Sequence, residues 1–415
     1  MKAAYLVYNE RPDSGLMRTQ VFALLAAIRR RAPDIEITLI ALWQPWVMRS
    51  FAAGITAMRA ELAASGIRQI DIPWAVIPTR HFAYRAALFP FLKTWVRLLM
   101  AHALAARYDV VHCRGYLPSY AAALLKARFG HRAIFDMRSL WPREHVTINA
   151  WKADSAINHA WERLERETIR LSDASIGVSP AMVDQIREIE PAGRAVHIPI
   201  CVELDRMRFD PGARELRRAE LGWNDRPIVA YQGSLGLLNS NLVEVAEYLG
   251  LIHKARPEVR FLILTSNVGA GVAEVMAKFG IASDAFAVRH PARDELAGWL
   301  SAADAGIHAM SPGPDSATRL GVKVVEYLAC GLPIVVNPHV GAAAELVRQH
   351  DVGWVFDSRN TATIRAALDS LFAGHHMPST RARELAAATF SVDACADRYI
   401  ELYRAGNAGP ILRPT

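Results

Sequence analysis

The chain contains 415 residues, of which 52% are hydrophobic and 21% are charged. This length exceeds the size at which one hydrophobic core stops growing, so we expect two domains of roughly 200 residues each. The composition excludes a disordered or fibrous protein. The net charge of +7 indicates a basic surface, for which nucleic acid, an anionic membrane or a phosphate-bearing lipid is a candidate partner.

The basic excess is confined to the first half of the chain. Residues 1–210 carry 28 Lys and Arg against 20 Asp and Glu, whereas the remainder carries 20 against 21. A solvated Arg-rich surface is an equally good interpretation of this excess. Nucleic acid ranks last among the candidate partners, because no recognised binding module accompanies the charge.

In the first half, seven short apolar segments predict β-strands. Helix-length spacers separate them, which predicts βαβ units and a parallel sheet. The N-terminus lacks the form of a signal peptide, and residues 82–106 are interrupted by charges and a proline, so they fall short of a transmembrane helix. We therefore expect a cytoplasmic protein. The predicted strands are residues 3–9, 36–42, 70–77, 109–113, 133–137, 174–179 and 195–200.

The second half restarts the pattern after a polar, helix-like stretch at residues 212–225. The α/β pattern predicts an N-terminal Rossmann-like domain at residues 1–205 and a C-terminal one at residues 206–395, followed by a helix end and tail at 396–415. We expect their parallel sheets to face a central cleft, because open parallel sheets bind ligands at the carboxyl ends of their strands. The strands predicted here are residues 227–233, 259–265, 284–288, 304–310, 333–338 and 353–357.

Residues 321–346, GVKVVEYLACGLPIVVNPHVGAAAEL, form the most specific motif. Gly321 opens a helix that carries Lys323 and Glu326 at i and i+3, so both side chains lie on one face near the helix start. A cation beside free helix-start amides suits a diphosphate, and a carboxylate one turn along can accept hydrogen bonds from two ribose hydroxyls. The alternative is an ordinary amphipathic helix with an ion pair between these two side chains.

This motif resembles the donor-site signature of glycosyltransferase family 4, the retaining group 1 enzymes of the GT-B fold. In that signature, a Glu that precedes Tyr-Leu-Ala and a Gly-x-Pro step binds the nucleotide ribose. Residues 231–236, 288–290 and 302–306 resemble other parts of the same donor domain, and residues 13–15 more weakly resemble a turn of the first domain. The resemblance implies that Glu326 binds the ribose, and that the donor is also bound by Gly15, Gly233, Ser234, His290, Arg319 and Lys323.

The sequence departs from the family pattern at two places. Many members carry a further Glu eight residues before the ribose-binding one, where this chain has Thr318. Members also often carry an Arg and a Lys soon after the first donor-domain strand, but here Ser234 takes the Arg position and residues 237–240 contain no Lys. We hypothesise that Lys323 and Arg319 supply the missing charge, since the leaving diphosphate requires a preorganised positive group.

Asp136 and Arg138 lie at the carboxyl end of a predicted buried strand of the first half. In many relatives an Asp-x-His occurs here, with the His near the transferred sugar. An Arg stays protonated and cannot act as a general base, but it can bind a phosphate or carboxylate through two hydrogen bonds. The resemblance thus implies that Asp136 and Arg138 contact the sugar or acceptor and join Glu326 as catalytic residues; the alternative is a structural salt bridge from Asp136 to Arg138 or Arg143.

The resemblance implies a hexosyltransferase-type enzyme that moves a sugar from a nucleoside diphosphate sugar to a hydroxyl with retention, needing neither a metal nor another cofactor. The chain has no Asp-x-Asp motif, and its four cysteines form no Cys-x-x-Cys pair. We expect a saccharide or lipid-linked saccharide acceptor, in the synthesis of cell-surface polysaccharide or glycolipid. Two alternatives stay open: a nucleotide-sugar epimerase of the same fold, and a non-catalytic scaffold that binds a nucleotide sugar.

Residues 80–107 combine aromatic and aliphatic side chains with five Lys and Arg. A basic helix with exposed aromatic residues favours a membrane interface, here the inner face of the membrane. The alternative is a core helix that covers the sheet, and both interpretations can hold for different faces of one helix.

Overall fold

The computed structural model describes residues 1–8, 10, 12, 14–73, 85–233, 235, 242–266, 271–374 and 378–405. They divide into two compact units. The first comprises Met1–Cys201 and the chain from Val392 onward, and the second comprises Val202–Ser391. The last helix, Val392–Arg404, belongs to the first unit and runs through residue 395, where the sequence-based division ended the second domain.

Parallel strands form the sheet of the first unit, in the order β3-β2-β1-β4-β5-β6-β7. The central strand β1 has five consecutive buried residues, as expected for a strand covered on both faces. The strands are β1 Lys2–Tyr8, β2 Glu36–Trp43, β3 Arg68–Pro73, β4 Val110–Arg114, β5 Arg132–Asp136, β6 Ala174–Gly177 and β7 Ala195–His197.

Helices connect these strands, and the C-terminal helix packs against the Leu24–Arg31 helix. Tyr399 and Tyr403 of the C-terminal helix are buried in the same hydrophobic core as β1, which attaches this helix to the first unit. The helices are Gly15–Met17, Leu24–Arg31, Pro45–Ser50, Ala52–Ala64, Phe89–Ala103, Tyr116–Phe129, Trp141–Thr147, Ala156–Leu171, Pro180–Ile189 and Val392–Arg404, with a π-helix at Arg18–Ala23 and 3-10 turns at Ala86–Leu88 and Leu104–Ala106.

The second unit repeats the architecture with a parallel sheet in the order β10-β9-β8-β11-β12-β13. Its strands are β8 Ile228–Gln232, β9 Arg260–Leu264, β10 Phe286–Arg289, β11 Ala305–His308, β12 Ile334–Val336 and β13 Gly353–Val355. Its helices are Pro211–Leu221, Leu242–Ala255, Val272–Lys278, Leu296–Ser301, Val322–Ala329, Gly341–His350, Thr361–Gly374 and Thr380–Leu385, with a 3-10 turn at Ser316–Thr318 and a π-helix at Ala386–Phe390.

The α/β prediction with two parallel sheets is confirmed, because each predicted strand overlaps an observed one. The predicted strand ends at residue 9 and at residues 74–77 lie outside the described residues. No helix in the described part of the chain is long and apolar enough to cross a membrane. All four cysteines are buried and carry free thiols.

Candidate active site

The first group of predicted residues lies in the second unit, where β8 and β11 are neighbours and the strand order reverses. Such a reversal is where open parallel sheets bind ligands, at the carboxyl ends of the strands. Gly233 follows β8 with φ +153°, and a Cβ atom there would lie 2.8 Å from Nζ of Lys323. The missing side chain at Gly233 therefore lets the Lys323 amine approach the backbone at the end of β8.

Lys323 lies in the first turn of the Val322–Ala329 helix and contacts Tyr231. Its Nζ atom lies 3.3 Å from the tyrosine hydroxyl and 4.3 Å from the ring centre. No described carboxylate forms a salt bridge with this amine, so the alternative ion pair with Glu326 is not made. Burial lowers the pKa of Lys323 to about 7, while the negative charge of Glu326 partly opposes the shift. The amine is thus half-buried without a fixed counter-ion among the described residues.

Glu326 is 2% exposed and is held from two sides. Its Oε2 atom accepts a hydrogen bond from Nε2 of Gln232 at 2.5 Å, and its Oε1 atom forms a salt bridge with Nη2 of Arg293. The backbone N–H of Gln232 donates to the Tyr327 hydroxyl at 2.8 Å. These contacts fix the carboxylate at the end of β8. Sequence reasoning missed Arg293, whose only signal was its position three residues after His290.

His308 ends β11 and is buried beside the start of the same helix. Gly321 has φ +82°, and a Cβ atom there would lie 2.7 Å from Nε2 of His308. Burial lowers the pKa of His308 well below its usual range, and the charges of Lys323 and Arg319 lower it further. His308 is therefore neutral near neutral pH, and it adds no positive charge to this part of the site.

Arg319 is held by the protein itself. Its Nε and Nη2 atoms donate to the two carboxylate oxygens of Asp315 at 2.7 and 2.8 Å, and Nη1 donates to the Ser311 carbonyl at 2.5 Å. Thr318, at the position where relatives carry a Glu, donates from Oγ1 to the Asp315 carbonyl at 3.0 Å. This bidentate pairing gives the guanidinium a structural partner, and the geometry does not support Arg319 as a phosphate ligand.

The remaining predicted donor residues are placed as follows. His290 is exposed after β10, with Nδ1 2.7 Å from the Thr265 carbonyl oxygen. Gly15 begins a helix whose first turn is capped by Ser14, since Oγ of Ser14 accepts the Met17 N–H at 3.1 Å. Ser234 lies outside the described residues. The donor-binding roles of these three positions stay predictions.

The second group of predicted residues lies in the first unit. Asp136 ends β5 and is fully buried, with Oδ2 3.4 Å from Nε2 of His112 and Oδ1 3.5 Å from Nη1 of Arg138. Burial raises the pKa of this carboxyl, but the Arg138, His112 and Arg114 groups outweigh it and lower the pKa to about 2. Asp136 is therefore an ionised carboxylate whose two oxygens face the His112 and Arg138 side chains.

Arg138 combines an unusual backbone with a second polar partner. Its φ is +61°, a conformation that side chains other than glycine rarely adopt. Its Nη2 atom donates to Oε1 of Gln20 at 3.2 Å, and Nε2 of Gln20 donates to the Cys201 carbonyl at 2.5 Å. Gln20 lies in the Arg18–Ala23 π-helix, a type of element frequent at functional sites. Sequence reasoning missed Gln20, because no local pattern marks a π-helix.

The neighbouring charged residues have protein partners. His112 is buried, and its Nδ1 atom lies 2.7 Å from the Tyr403 hydroxyl. Arg114 donates from Nε to Glu10 at 2.8 Å, and Arg143 binds Gln185 instead of Asp136. Of the two predicted salt-bridge alternatives, the structure therefore forms the Asp136–Arg138 pair, as a 3.5 Å contact.

The described residues contain no group of three or more His, Cys, Asp or Glu that could hold a metal ion. In the second unit the arrangement can bind an anion at the Lys323 amine and can accept hydrogen bonds from hydroxyls at the Glu326 carboxylate. In the first unit the cationic Arg138 side chain is partly exposed and can bind an anionic ligand, while the buried, ionised Asp136 lies beside it.

Comparison with known proteins identifies both units. Residues 17–201 match the family described as "Glycosyl transferase 4-like domain", and residues 226–373 match the family described as "Glycosyl transferases group 1". Together the two matches span most of the chain. A relative from Segniliparus rotundus, named D-inositol 3-phosphate glycosyltransferase, is 27% identical over 97% of this chain and 87% of its own length.

Solved structures share the whole fold. A sucrose-phosphate synthase from Thermosynechococcus elongatus aligns with a TM-score of 0.71 at 18% identity, covering 97% of this chain and 98% of its own. The Anabaena HepE protein in complex with UDP aligns with a TM-score of 0.68 at 15% identity, covering 97% and 99%. The chain therefore belongs to the group 1 glycosyltransferases of family 4 type, and it is a glycosyltransferase of the GT-B fold.

Proposed function

We propose that this glycosyltransferase takes a glycosyl group from a nucleoside diphosphate sugar bound in its second unit and transfers it to a hydroxyl of the acceptor. One observation carries the proposal. Lys323 and the buried Glu326 share one helix, and the Lys323 amine, without a fixed counter-ion among the described residues, approaches Gly233 at the end of β8. A cation and an oriented carboxylate one turn apart match a diphosphate and a ribose.

Within this proposal, Glu326 accepts hydrogen bonds from the ribose hydroxyls. Its contacts with Gln232 and Arg293 orient the carboxylate. Lys323 binds the diphosphate, whose negative charge favours the protonated amine and raises its pKa again. The same charge stabilises the diphosphate as it leaves the sugar, which is the step where negative charge develops.

Asp136 and Arg138 are proposed to contact the sugar or the acceptor. Asp136 stays ionised, and a carboxylate suits a sugar or acceptor hydroxyl. Arg138 suits a phosphate or carboxylate. The Segniliparus relative is named D-inositol 3-phosphate glycosyltransferase, and the compound in that name carries such a phosphate, so inositol phosphates belong in an acceptor panel. Retention and metal independence are part of the proposal and rest on the family resemblance.

A calorimetric panel of UDP, GDP, ADP and their sugars tests donor binding. We expect one nucleotide to bind the wild type and its affinity to fall at least about tenfold in Glu326→Ala and Glu326→Gln, since a charge-assisted bond is lost. Glu326→Gln keeps the volume of the buried side chain, and Glu274→Ala, at an exposed position of the second unit, is the control. No binding by any nucleotide, or unchanged affinity in both Glu326 variants, would contradict the proposal.

Membrane contact is proposed through the Phe89–Ala103 helix. Phe91, Trp95 and Leu98 recur on one stripe and are 55%, 37% and 58% exposed, whereas Phe89, Leu92, Val96, Met100 and Ala103 face the core. The lining of a groove of about 450 Å³ beside the helix includes Lys93, Arg97 and Arg163, together with Glu167, which pairs with Lys93. An apolar stripe next to a basic one suits an anionic membrane surface, where a lipid-linked acceptor for polysaccharide or glycolipid synthesis would lie. Residues 80–84 of the predicted segment lie outside the described residues.

Flotation with vesicles tests this contact. We expect the protein to float with phosphatidylglycerol vesicles and not with phosphatidylcholine vesicles, and we expect Leu98→Ser combined with Arg97→Glu to abolish flotation. Leu216→Ser, at an exposed leucine of the second unit, is the control. A wild type that stays in the soluble fraction with anionic vesicles would remove membrane contact from the proposal and leave donor binding intact.

A further inference from the structure

The loop that carries Arg138 is held by a buried tyrosine. It joins β5 to the Trp141–Thr147 helix. The hydroxyl of Tyr116 lies 2.9 Å from the carbonyl oxygen of Ser139 and accepts the backbone N–H of Trp141 at 3.0 Å. Both contacts fall within three residues of Arg138, so the position of this hydroxyl determines the path of the loop immediately after it.

A buried carboxyl completes this contact. Oε1 of Glu165, on the Ala156–Leu171 helix, lies 2.6 Å from the Tyr116 hydroxyl, and Glu165 is 3% exposed. The Tyr116 ring packs edge-on against Phe135 and Trp161, with ring centres 5.1 and 6.1 Å apart. The hydroxyl lies between the loop and Glu165.

The Tyr116 hydroxyl has more acceptor oxygens near it than protons to donate. A phenol has one proton to donate, yet two oxygen atoms lie within hydrogen-bond distance of it as acceptors, the Ser139 carbonyl and Glu165 Oε1. If Glu165 is ionised, these two compete for the one proton. If Glu165 is protonated, its own proton goes to the tyrosine oxygen, the tyrosine proton goes to Ser139, and every contact is satisfied.

We propose that Glu165 is a positioning residue that acts in its protonated form, donating to Tyr116 so that Tyr116 donates to Ser139 and holds the loop that presents Arg138. The inference rests on the role of Arg138 in the proposed function. Loss of the proton turns the Tyr116 hydroxyl toward the carboxylate, which releases the Ser139 carbonyl. The proton of the Glu165 carboxyl passes to solvent, and the other changes are in hydrogen bonds alone.

The charges around Glu165 agree with a neutral carboxyl at mildly acid pH. Burial, together with the smaller effect of the Glu162 charge on the same helix, raises its pKa to about 7. The Tyr116 hydroxyl and the cations of Arg143, on the Trp141–Thr147 helix, and Arg166, on its own helix, oppose the shift. The loop is thus held below pH 7 and released as the pH rises through 7.

Amide hydrogen exchange tests the contact without any substrate. Between pH 6 and pH 8, after correction for the intrinsic rate, we expect exchange in residues 139–141 to speed up by about tenfold in the wild type, the effect of one lost hydrogen bond. Glu165→Gln, whose amide can donate to Tyr116 at every pH because it does not titrate, should show no such change. Glu162→Gln is the matched control on the same helix: removing its charge should move the transition to lower pH without abolishing it. A wild type whose exchange in this segment has no transition between pH 6 and 8, or a transition that survives in Glu165→Gln, overturns the proposal.

Turnover then tests the consequence for catalysis. With the donor found by calorimetry, we expect kcat of the wild type to fall above pH 7, kcat of Glu165→Gln to lack this fall, and Tyr116→Phe to lower kcat at every pH with little change in donor Kd. Arg138→Ala is measured beside them. If Arg138→Ala leaves kcat unchanged, the assigned role of Arg138 fails while the exchange result still decides the hydrogen-bond inference. If Arg138→Ala lowers kcat but Glu165→Gln keeps the fall, the positioning role is overturned.

Discussion

Replacing Lys323 with Met is expected to stabilise the ligand-free protein while it weakens nucleotide binding. Lys323 is half-buried, and it has no salt bridge with a described carboxylate. Burial lowers its pKa to about 7 from an unfolded value of 10.5. Folding at neutral pH must therefore either remove a proton from this amine or bury its charge, and both cost free energy. Met keeps the length of the side chain against Tyr231 and removes that cost.

The magnitude follows from the two pKa values. A fall from 10.5 to about 7 corresponds to about 5 kcal/mol at 1.36 kcal/mol per unit. Lys323 is partly exposed, and screening by solvent reduces the expected gain to about 2 kcal/mol. The cost is fully present below pH 7, declines as the pH rises toward 10.5, and vanishes above it because the amine is then neutral in both states. The stability advantage of Lys323→Met should decline in the same way.

Urea unfolding at pH 7 and pH 9.5 measures the stability difference, and calorimetry with the nucleotide that binds measures affinity. Lys278→Met, at an exposed lysine of the same unit, is the matched control and should change neither quantity. We expect Lys323→Met to bind at least about tenfold more weakly. A Lys323→Met variant less stable than the wild type at pH 7, or an advantage that does not shrink at pH 9.5, would refute the reasoning.

Three further outcomes are expected. Arg138→Gly should be about 1 kcal/mol more stable to urea than Arg138→Ala, because residue 138 has φ +61° and only glycine adopts it without strain; equal stabilities would argue against strain. Asp136→Asn should cost about 2 kcal/mol at pH 7, because folding lowers the pKa of Asp136 from 3.8 to about 2. This cost is present above about pH 4 and lost as the pH falls through 2, so urea titrations at pH 7 and pH 3 should differ. Glycosyl transfer, followed as release of nucleoside diphosphate, should be unchanged by EDTA because Lys323 supplies the positive charge; a loss restored by Mg²⁺ would contradict this.

The strands were predictable because burial on both faces leaves continuous apolar runs. The segment VRFLILT predicted residues 259–265, and the strand forms at Arg260–Leu264. The unit to which the last helix belongs was not predictable from local pattern. Val392–Arg404 follows the second unit in the chain, but Tyr399 and Tyr403 are buried in the core around β1, nearly four hundred residues away.

The candidate site was predictable where its residues share one helix. Lys323 and Glu326 are three residues apart, so helical periodicity alone places them on one face. Arg293 escaped prediction because its partner Glu326 is 33 residues away and the fold alone joins them. The sequence predicted a functional side chain at Arg138 but not its positive φ. That backbone conformation depends on the loop around it, including the Tyr116 contacts, and no local sequence pattern predicts it.

Thr318, at a position where the family resemblance predicts a Glu, bears differently on donor binding and on contact with the transferred sugar. Thr318 lies buried in a 3-10 turn that is tied to Asp315, and the Asp315 carboxylate is bound by Arg319, so this segment offers the donor no unpaired carboxylate of its own. In the described part of the second unit, Glu326 is the carboxylate that acts on the Lys323 charge, and Arg293 shares it. If the family resemblance is followed, Thr318 takes the place of a Glu near the transferred sugar, and one carboxylate fewer leaves the site more positive toward a diphosphate. Donor affinity should therefore depend on Lys323 and Glu326, and contact with the sugar must come from other residues, for which Asp136 and Arg138 are the proposed pair.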